Sequence, residues 1–243
     1  MTNQKNNLVT IINESIENLN ETHLGRESAL ANCRKSIQKS SSSIRASHRN
    51  EFDEALALAN ESKKNLEEAK KALKKFYLNI NTVFYLDSEK EFCEAMLVYS
   101  FLSESNIPTP KDLQVTESSY LKGLAEASSE LRRTSLDSIR KSDYELADRY
   151  LGIMNEVTDL LETIDFPEAV TGGLRRTTDQ LRSVVERTRG DVTLSLDRKK
   201  LETQLEKLKE TLKNSWAKLQ YIKNGWLMNK LDDRFFRISL IKI

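Results

Sequence analysis

The sequence predicts an all-α protein, a single domain built as a helical bundle of about seven helices. Three prolines and seven glycines in 243 residues leave few places at which a helix must end. The chain is 31% charged and 38% hydrophobic, which is typical of long amphipathic helices and unlike a sheet protein with many tight turns. Over most of the chain, apolar residues also recur every three or four positions, as on a helix with one buried face.

The spacing of apolar residues predicts the elements in chain order. The predicted helices cover residues 8–20, 26–47, 51–77, 87–103, 120–140, 143–164 and about 170 to the low 220s. The serine run at 40–43 predicts a kink or a closely packed face, because apolar residues resume on both sides of it. Prolines at 108 and 110 end the fourth helix. We find no fixed-period repeat and no linker composition, so residues 1–243 are predicted to form one domain.

Charge and cysteine content limit the possible functions. A net charge of +1 excludes nucleic-acid binding by bulk electrostatics, so any such binding must use local patches. Cys33 and Cys93 form no disulfide framework and no C-x-x-C pair, which favours a reducing compartment. The first residues do not resemble a signal peptide, and no stretch of about 18 apolar residues occurs. We therefore expect a cytoplasmic protein without a transmembrane segment.

Glu94 is the charged side chain in an otherwise apolar stretch, residues 92–102, which is predicted to be buried on most sides. A carboxylate in such a place needs a cation or strong donors, because uncompensated burial is costly or raises its pKa. Glu91 lies three residues earlier on the same side of the helix.

Glu126 and Glu130 are four residues apart and share a helix face among Gly, Ala and Ser. Small residues allow another helix to approach closely. A divalent cation would relieve the repulsion within both glutamate pairs, and oxygen ligands without a Cys or His cluster suit Mg²⁺ or Mn²⁺. The ordinary alternative is a solvated face, or ion pairs with arginines such as Arg132 and Arg133.

Several of these segments together resemble the translin family, in particular its archaeal members and the eukaryotic translin-associated factor X. The most specific stretch is Asp165-Phe166-Pro167-Glu168-Ala169-Val170-Thr171-Gly172-Gly173-Leu174-Arg175-Arg176. Supporting matches are Lys90-Glu91-Phe92-Cys93-Glu94-Ala95, Tyr120-Leu121-Lys122-Gly123-Leu124 and Ile44-Arg45-Ala46-Ser47-His48-Arg49. The resemblance covers roughly residues 26–205 and leaves a C-terminal helix and divergent tail at 206–243.

The resemblance implies an all-α fold of about seven helices that assembles into a hollow, octamer-like shell around nucleic acid. In catalytic members of the family, four acidic side chains hold the metal for RNA cleavage. By motif match they correspond to Glu91, Glu94, Glu126 and Glu130. Position 126 departs from the pattern, because the catalytic eukaryotic subunit has aspartate where this chain has the longer glutamate.

Basic residues near the end of the second predicted helix are the candidates for phosphate contacts. Arg45, His48 and Arg49 match a basic segment of similar catalytic proteins, and Arg34 lies on the same predicted helix. The alternative for His48 is an ordinary surface histidine. Arg175, Arg182 and Arg189 instead alternate with acids and predict a ladder of ion pairs.

Three functions therefore follow from the sequence. The leading one is a Mg²⁺- or Mn²⁺-dependent endoribonuclease acting on RNA inside a homo-oligomeric shell. The second is a non-catalytic protein that binds RNA or single-stranded DNA, and the third is a helical oligomeric scaffold. The apolar tail at 216–243 is expected to pack on the body or on a neighbouring subunit, with association at a membrane surface as the minor alternative.

Overall fold

The computed structural model describes residues 2–74 and 82–239, with side chains at 6–74 and 82–221. Over these residues the chain is helical and contains no strand, which confirms the predicted all-α class. No helix in the described part of the chain is both long and apolar enough to cross a membrane.

Eight helices occur in the described residues, and two of them, α4 and α7, are single turns. Their bounds are α1 Thr2–His48, α2 Phe52–Leu73, α3 Val83–Ser103, α4 Pro110–Leu113, α5 Glu117–Arg140, α6 Tyr144–Glu162, α7 Glu168–Thr171 and α8 Leu174–Ser239. The first two predicted helices are joined in α1, because the one glycine between them, Gly25, costs about 1 kcal/mol in a helix without ending it.

The chain divides into two compact units, residues 1–192 and 193–243. In the first unit, α3 lies against α1, α2 and α5, and α5 also packs on α6. The fully buried side chains of this core include Phe92, Leu97, Leu131 and Met154. The second unit is helical as far as Ser239, and Trp216 and Tyr221 within it are exposed. The side chains of the tail beyond residue 221 lie outside the described residues.

The serine run belongs to a closely packed face between α1 and α2. Ser36 and Ser40 lie 2.7 and 2.8 Å from the hydroxyl of Ser62, and all three side chains are fully buried. Ser43 donates to the carbonyl of Ala55 at 2.7 Å. Small side chains let the two helices approach, and the hydroxyls bond to each other in place of water.

A buried acid fastens α3 to the start of α5. Glu89 is 2% exposed and accepts hydrogen bonds from the backbone nitrogen and hydroxyl of Thr116, at 3.0 and 2.6 Å. The Thr116 hydroxyl in turn accepts from the backbone nitrogen of Ser119 and caps α5. Glu89 therefore sets the position of α5 along α3.

Gly123 is where the backbones of α3 and α5 come closest. A Cβ at this position would lie 2.7 Å from Cys93 Cβ and 2.9 Å from the Lys90 carbonyl oxygen. Real Cβ atoms do not approach so closely, so any larger residue must push the two helices apart.

We predict that Gly123→Ala lowers the free energy of unfolding by about 1–3 kcal/mol, because the added methyl group overpacks this contact. Gly152→Ala, in α6, is the matched control: its Cβ meets no atom within 4 Å. That substitution should be neutral or raise the free energy of unfolding by up to about 1 kcal/mol, since alanine favours helix. Urea unfolding of both variants measures the difference. Equal effects would contradict the close contact.

Candidate metal centre

The structure brings together three of the four predicted acids. Glu91 and Glu94 project from α3, and Glu126 projects from α5 one turn beyond the Gly123 contact. One carboxylate oxygen from each lies within 4.8 Å of the other two. The predicted convergence of acids from two separate helices is therefore present for Glu91, Glu94 and Glu126.

Lys90 accompanies this cluster, and the sequence reasoning did not assign it a role. Its Nζ lies 2.6 Å from Glu126 Oε2 and 3.1 Å from Glu91 Oε1. Burial works against the charge of the ammonium, but the hydrogen bond and charge of Glu126 and the charge of Glu91 outweigh it and raise the Lys90 pKa. Its spacing, four residues before Glu94, was the signal that could have placed it here.

Glu94 is the most buried acid of the cluster, with 9% of its surface exposed. Burial raises the pKa of its carboxyl group to about 8, and the negative charges of Glu91, Glu126 and Glu130 add to the effect. Lys90 opposes the shift without cancelling it. At neutral pH, with no further cation, Glu94 therefore retains its proton most of the time.

Glu130 and His48 contact each other. His48 Nε2 donates to Glu130 Oε2 at 2.8 Å, and Thr134 Oγ1 lies 3.2 Å from His48 Nδ1. The hydrogen bond from His48 lowers the pKa of the Glu130 carboxyl group, and the charge of Arg133 lowers it further. Only 3% of the His48 side chain is exposed, and its ring faces Glu130. The sequence, in contrast, predicts a contact between His48 and phosphate.

The donor set fits a hard divalent cation. Burial, and the repulsion among the three carboxylates, keep a proton on Glu94, and a doubly charged ion that replaces this proton would stabilise the cluster. Oxygen ligands of this kind suit Mg²⁺ or Mn²⁺. Glu91, Glu94 and Glu126 are the residues that would hold it, and Lys90 is the cation that competes for two of them.

The predicted phosphate-binding residues differ in how strongly they are already paired. Arg34 and Arg45 are exposed on α1, and Arg45 donates to the hydroxyl of Ser42 at 2.9 Å. Arg49 forms ion pairs with Glu51 and with Glu54, which reduces its attraction for another anion.

The arginine stripe on α8 is an ion-pair ladder at two of its three members, as its spacing predicted. Arg182 pairs with Glu162 at 2.6 Å and with Asp179 at 3.1 Å. Arg189 lies 3.4 Å from Glu186.

The fold of this chain is similar to that of solved C3PO proteins. A structure of AfC3PO with duplex RNA superposes with a TM-score of 0.69 at 29% identity, covering 77% of this chain and 97% of that one. A crystal structure of AfC3PO gives a TM-score of 0.67 at 28% identity, with the same coverage. Apo-NeC3PO, at 18% identity and a TM-score of 0.68, shows the fold alone.

The chain thus has the translin-like helical fold of the C3PO proteins, and the resemblance to the translin family that its motifs indicate is confirmed. Among curated proteins it is 31% identical over 128 residues to an uncharacterized protein of Methanocaldococcus jannaschii. That match covers 52% of this chain and 57% of the relative. No protein-family model matches the chain.

We predict that Glu94→Gln stabilises the metal-free protein at high pH. The folded state keeps the Glu94 proton up to about pH 8, whereas an ordinary glutamate releases it near 4.5. The folded state thus binds more protons between these values, so the stability of the native chain falls as the pH rises through this window. Glutamine does not ionise and escapes this loss, a gain on the order of 1–4 kcal/mol above about pH 8.

Thermal unfolding with a chelator present measures this effect across the pH window, and Glu117→Gln, an exposed acid on α5, is the control. The midpoints of Glu94→Gln and the native chain should differ little at low pH and diverge as the pH rises. A difference that is the same at every pH would show that Glu94 ionises normally.

Proposed function

We propose that this chain is an RNA-binding endoribonuclease of the translin type that uses Mg²⁺ or Mn²⁺ at Glu91, Glu94 and Glu126. The observation that carries the proposal is the convergence of these three carboxylates within 4.8 Å, around an acid whose pKa is raised to about 8. RNA is the proposed substrate because the similar AfC3PO structure is a complex with duplex RNA. Assembly into an octamer-like shell is part of the same proposal.

Each acid contributes differently to the proposed site. Glu91 and Glu126 share Lys90, whose ammonium also offers a positive charge to a phosphodiester approaching the cluster. Glu94 must lose its proton to serve as a ligand, so cation affinity should increase as the pH rises towards about 8. A bound divalent cation would supply an activated water and stabilise charge developing on the phosphodiester.

Glu130 is proposed as the fourth ligand on the strength of the family resemblance. In this structure its Oε2 accepts a hydrogen bond from His48 at 2.8 Å, and the carboxylate would have to turn to bring an oxygen to the cluster. His48 thereby becomes a positioning residue for Glu130 in place of a phosphate ligand. Phosphate contacts are assigned to Arg34 and Arg45, with Arg49 weakened by its two acidic partners.

The second candidate is an RNA- or single-stranded-DNA-binding protein without catalysis. Two contacts favour it, because Lys90 already neutralises part of the charge of Glu91 and of Glu126, as structural ion pairs would. Under this alternative, nucleic acid binds to the basic residues and remains intact.

We predict that labelled RNA is cleaved with Mg²⁺ or Mn²⁺ and left intact with a chelator. Glu94→Gln and Glu126→Gln should each reduce the cleavage rate by about a hundredfold, because each replaces an anionic carboxylate ligand with a neutral amide that binds a divalent cation more weakly. Glu117→Gln should retain the native rate. Cleavage that persists with chelator and in both variants would exclude the carboxylate site, and intact RNA under all conditions would favour the binding protein.

We predict that Arg34→Ala and Arg45→Ala each weaken RNA binding at low salt. If each arginine neutralises one phosphate, each variant should also reduce the slope of log affinity against log salt by about 0.7–0.9. Arg182→Ala is the matched control, because Glu162 and Asp179 already occupy that guanidinium. An equal loss in all three variants would mean that binding depends on overall charge and that the α1 residues have no special part.

A further inference from the structure

An apolar stripe on α8 in the second unit is exposed. Its members are leucines that are each more than half exposed, namely Leu194, Leu201, Leu205, Leu208, Leu212 and Leu219. They are separated by three, four or seven residues, which is the repeat of a coiled-coil seam. Such a stripe, about 39 Å long at 1.5 Å per residue, is unusual on the surface of a monomer and indicates a binding surface.

The heptad register of this stripe is unambiguous. Leu205, Leu212 and Leu219 occupy the first apolar position of successive heptads, and Leu194, Leu201 and Leu208 occupy the second. The two seam positions that are not leucine between 194 and 219 are Arg198 and Ser215. These two polar positions and the charges beside the seam decide which partner and which orientation fit.

A parallel pair of these helices places like charges together. In register, Arg198 would face Arg198 of the second copy inside the seam, which is a buried repulsion between two guanidinium groups. Asp197 would lie beside Glu202 of the second copy at the edge, a second repulsion. The remaining edge pairs, Gln204 with Lys209 and Thr211 with the exposed Trp216, supply no opposite charges.

In an antiparallel pair, the same seam and edge residues face compatible partners. In this orientation the numbers of two facing seam residues add up to about 413. Leu194 therefore faces Leu219 of the second copy, Leu201 faces Leu212, and Leu205 faces Leu208. Arg198 meets Ser215 in the remaining seam layers. Along the edges Asp197 meets Lys218 and Glu202 meets Lys209, and each attraction occurs twice by symmetry.

We propose that residues 194–219 bind the same segment of a second copy of this chain as an antiparallel two-stranded coiled coil, centred between Glu206 and Lys207. The leucine layers supply the apolar contact. The pairing of Asp197 with Lys218 and of Glu202 with Lys209 sets the direction. This interface is independent of the proposed nuclease site, and each can be correct without the other.

Charge reversal in the full-length chain tests the orientation. Glu202→Lys puts two lysines together in the antiparallel pair and should weaken self-association about tenfold, as measured by sedimentation equilibrium. In a parallel pair the same change would face Asp197 and strengthen association. The double variant Glu202→Lys/Lys209→Glu should restore the native affinity. Glu210→Lys, on the helix face opposite the seam, is the control and should have no effect.

Spin-label distances test the register directly. Labels at Glu206→Cys lie next to the centre and should give a short distance between copies, whereas labels at Gln220→Cys should be separated by about 40 Å along the axis. A parallel pair gives short distances at both sites. The native Cys33 and Cys93 are buried, so labelling can be directed to the introduced cysteine.

Two results would overturn the proposal. One is an unchanged association constant in Glu202→Lys and in Leu205→Glu/Leu208→Glu, with circular dichroism showing that both remain helical. The other is weakened association in Leu205→Glu/Leu208→Glu without the short Glu206→Cys distance. The latter would assign the stripe to a partner other than the same segment of a second copy.

Discussion

The close contact between α3 and α5 at Gly123 is the constraint on which the candidate site depends. No side chain separates the helices there, so acids that are distant in sequence come within a few ångströms of one another. Glu89 holds the same pair of helices in register from the start of α5. Backbone packing thus buries Glu94 and places the other acids beside it, and burial first, then the repulsion among the acids, raises the pKa of Glu94.

Periodicity predicted the fold well because the buried faces of these helices repeat regularly. The periodicity divided α1 into two predicted helices, because Gly25 and the polar residues at 20–23 and 26–28 interrupt the apolar pattern without preventing the helix from continuing. The fold class and the order of the long helices follow from local sequence. Contacts between helices do not, because they depend on which small residue lies opposite which neighbour, as Gly123 lies opposite Cys93.

The residues of the candidate site were predictable from the sequence, but the contacts among them were not. Glu94 was identifiable because it interrupts an apolar helix, and the family resemblance selected Glu91, Glu126 and Glu130. Neither argument showed that Lys90 pairs with two of the acids or that His48 is withdrawn from the surface by Glu130. The contacts of Lys90 with Glu126 and of His48 with Glu130 join separate helices that share no short sequence pattern, so they required three-dimensional information.

The serine-lined contact between α1 and α2 has a consequence for how these helices can be aligned. Apolar side chains tolerate sliding, since any neighbour of similar size excludes water equally well. A hydroxyl tolerates little, because Ser62 must reach both Ser36 and Ser40, and Ser43 must reach one particular carbonyl oxygen. A shift of one helical turn would leave these groups buried without partners. The hydroxyls therefore disfavour misaligned pairings of α1 and α2 during folding. An all-alanine surface would not discriminate between these alignments.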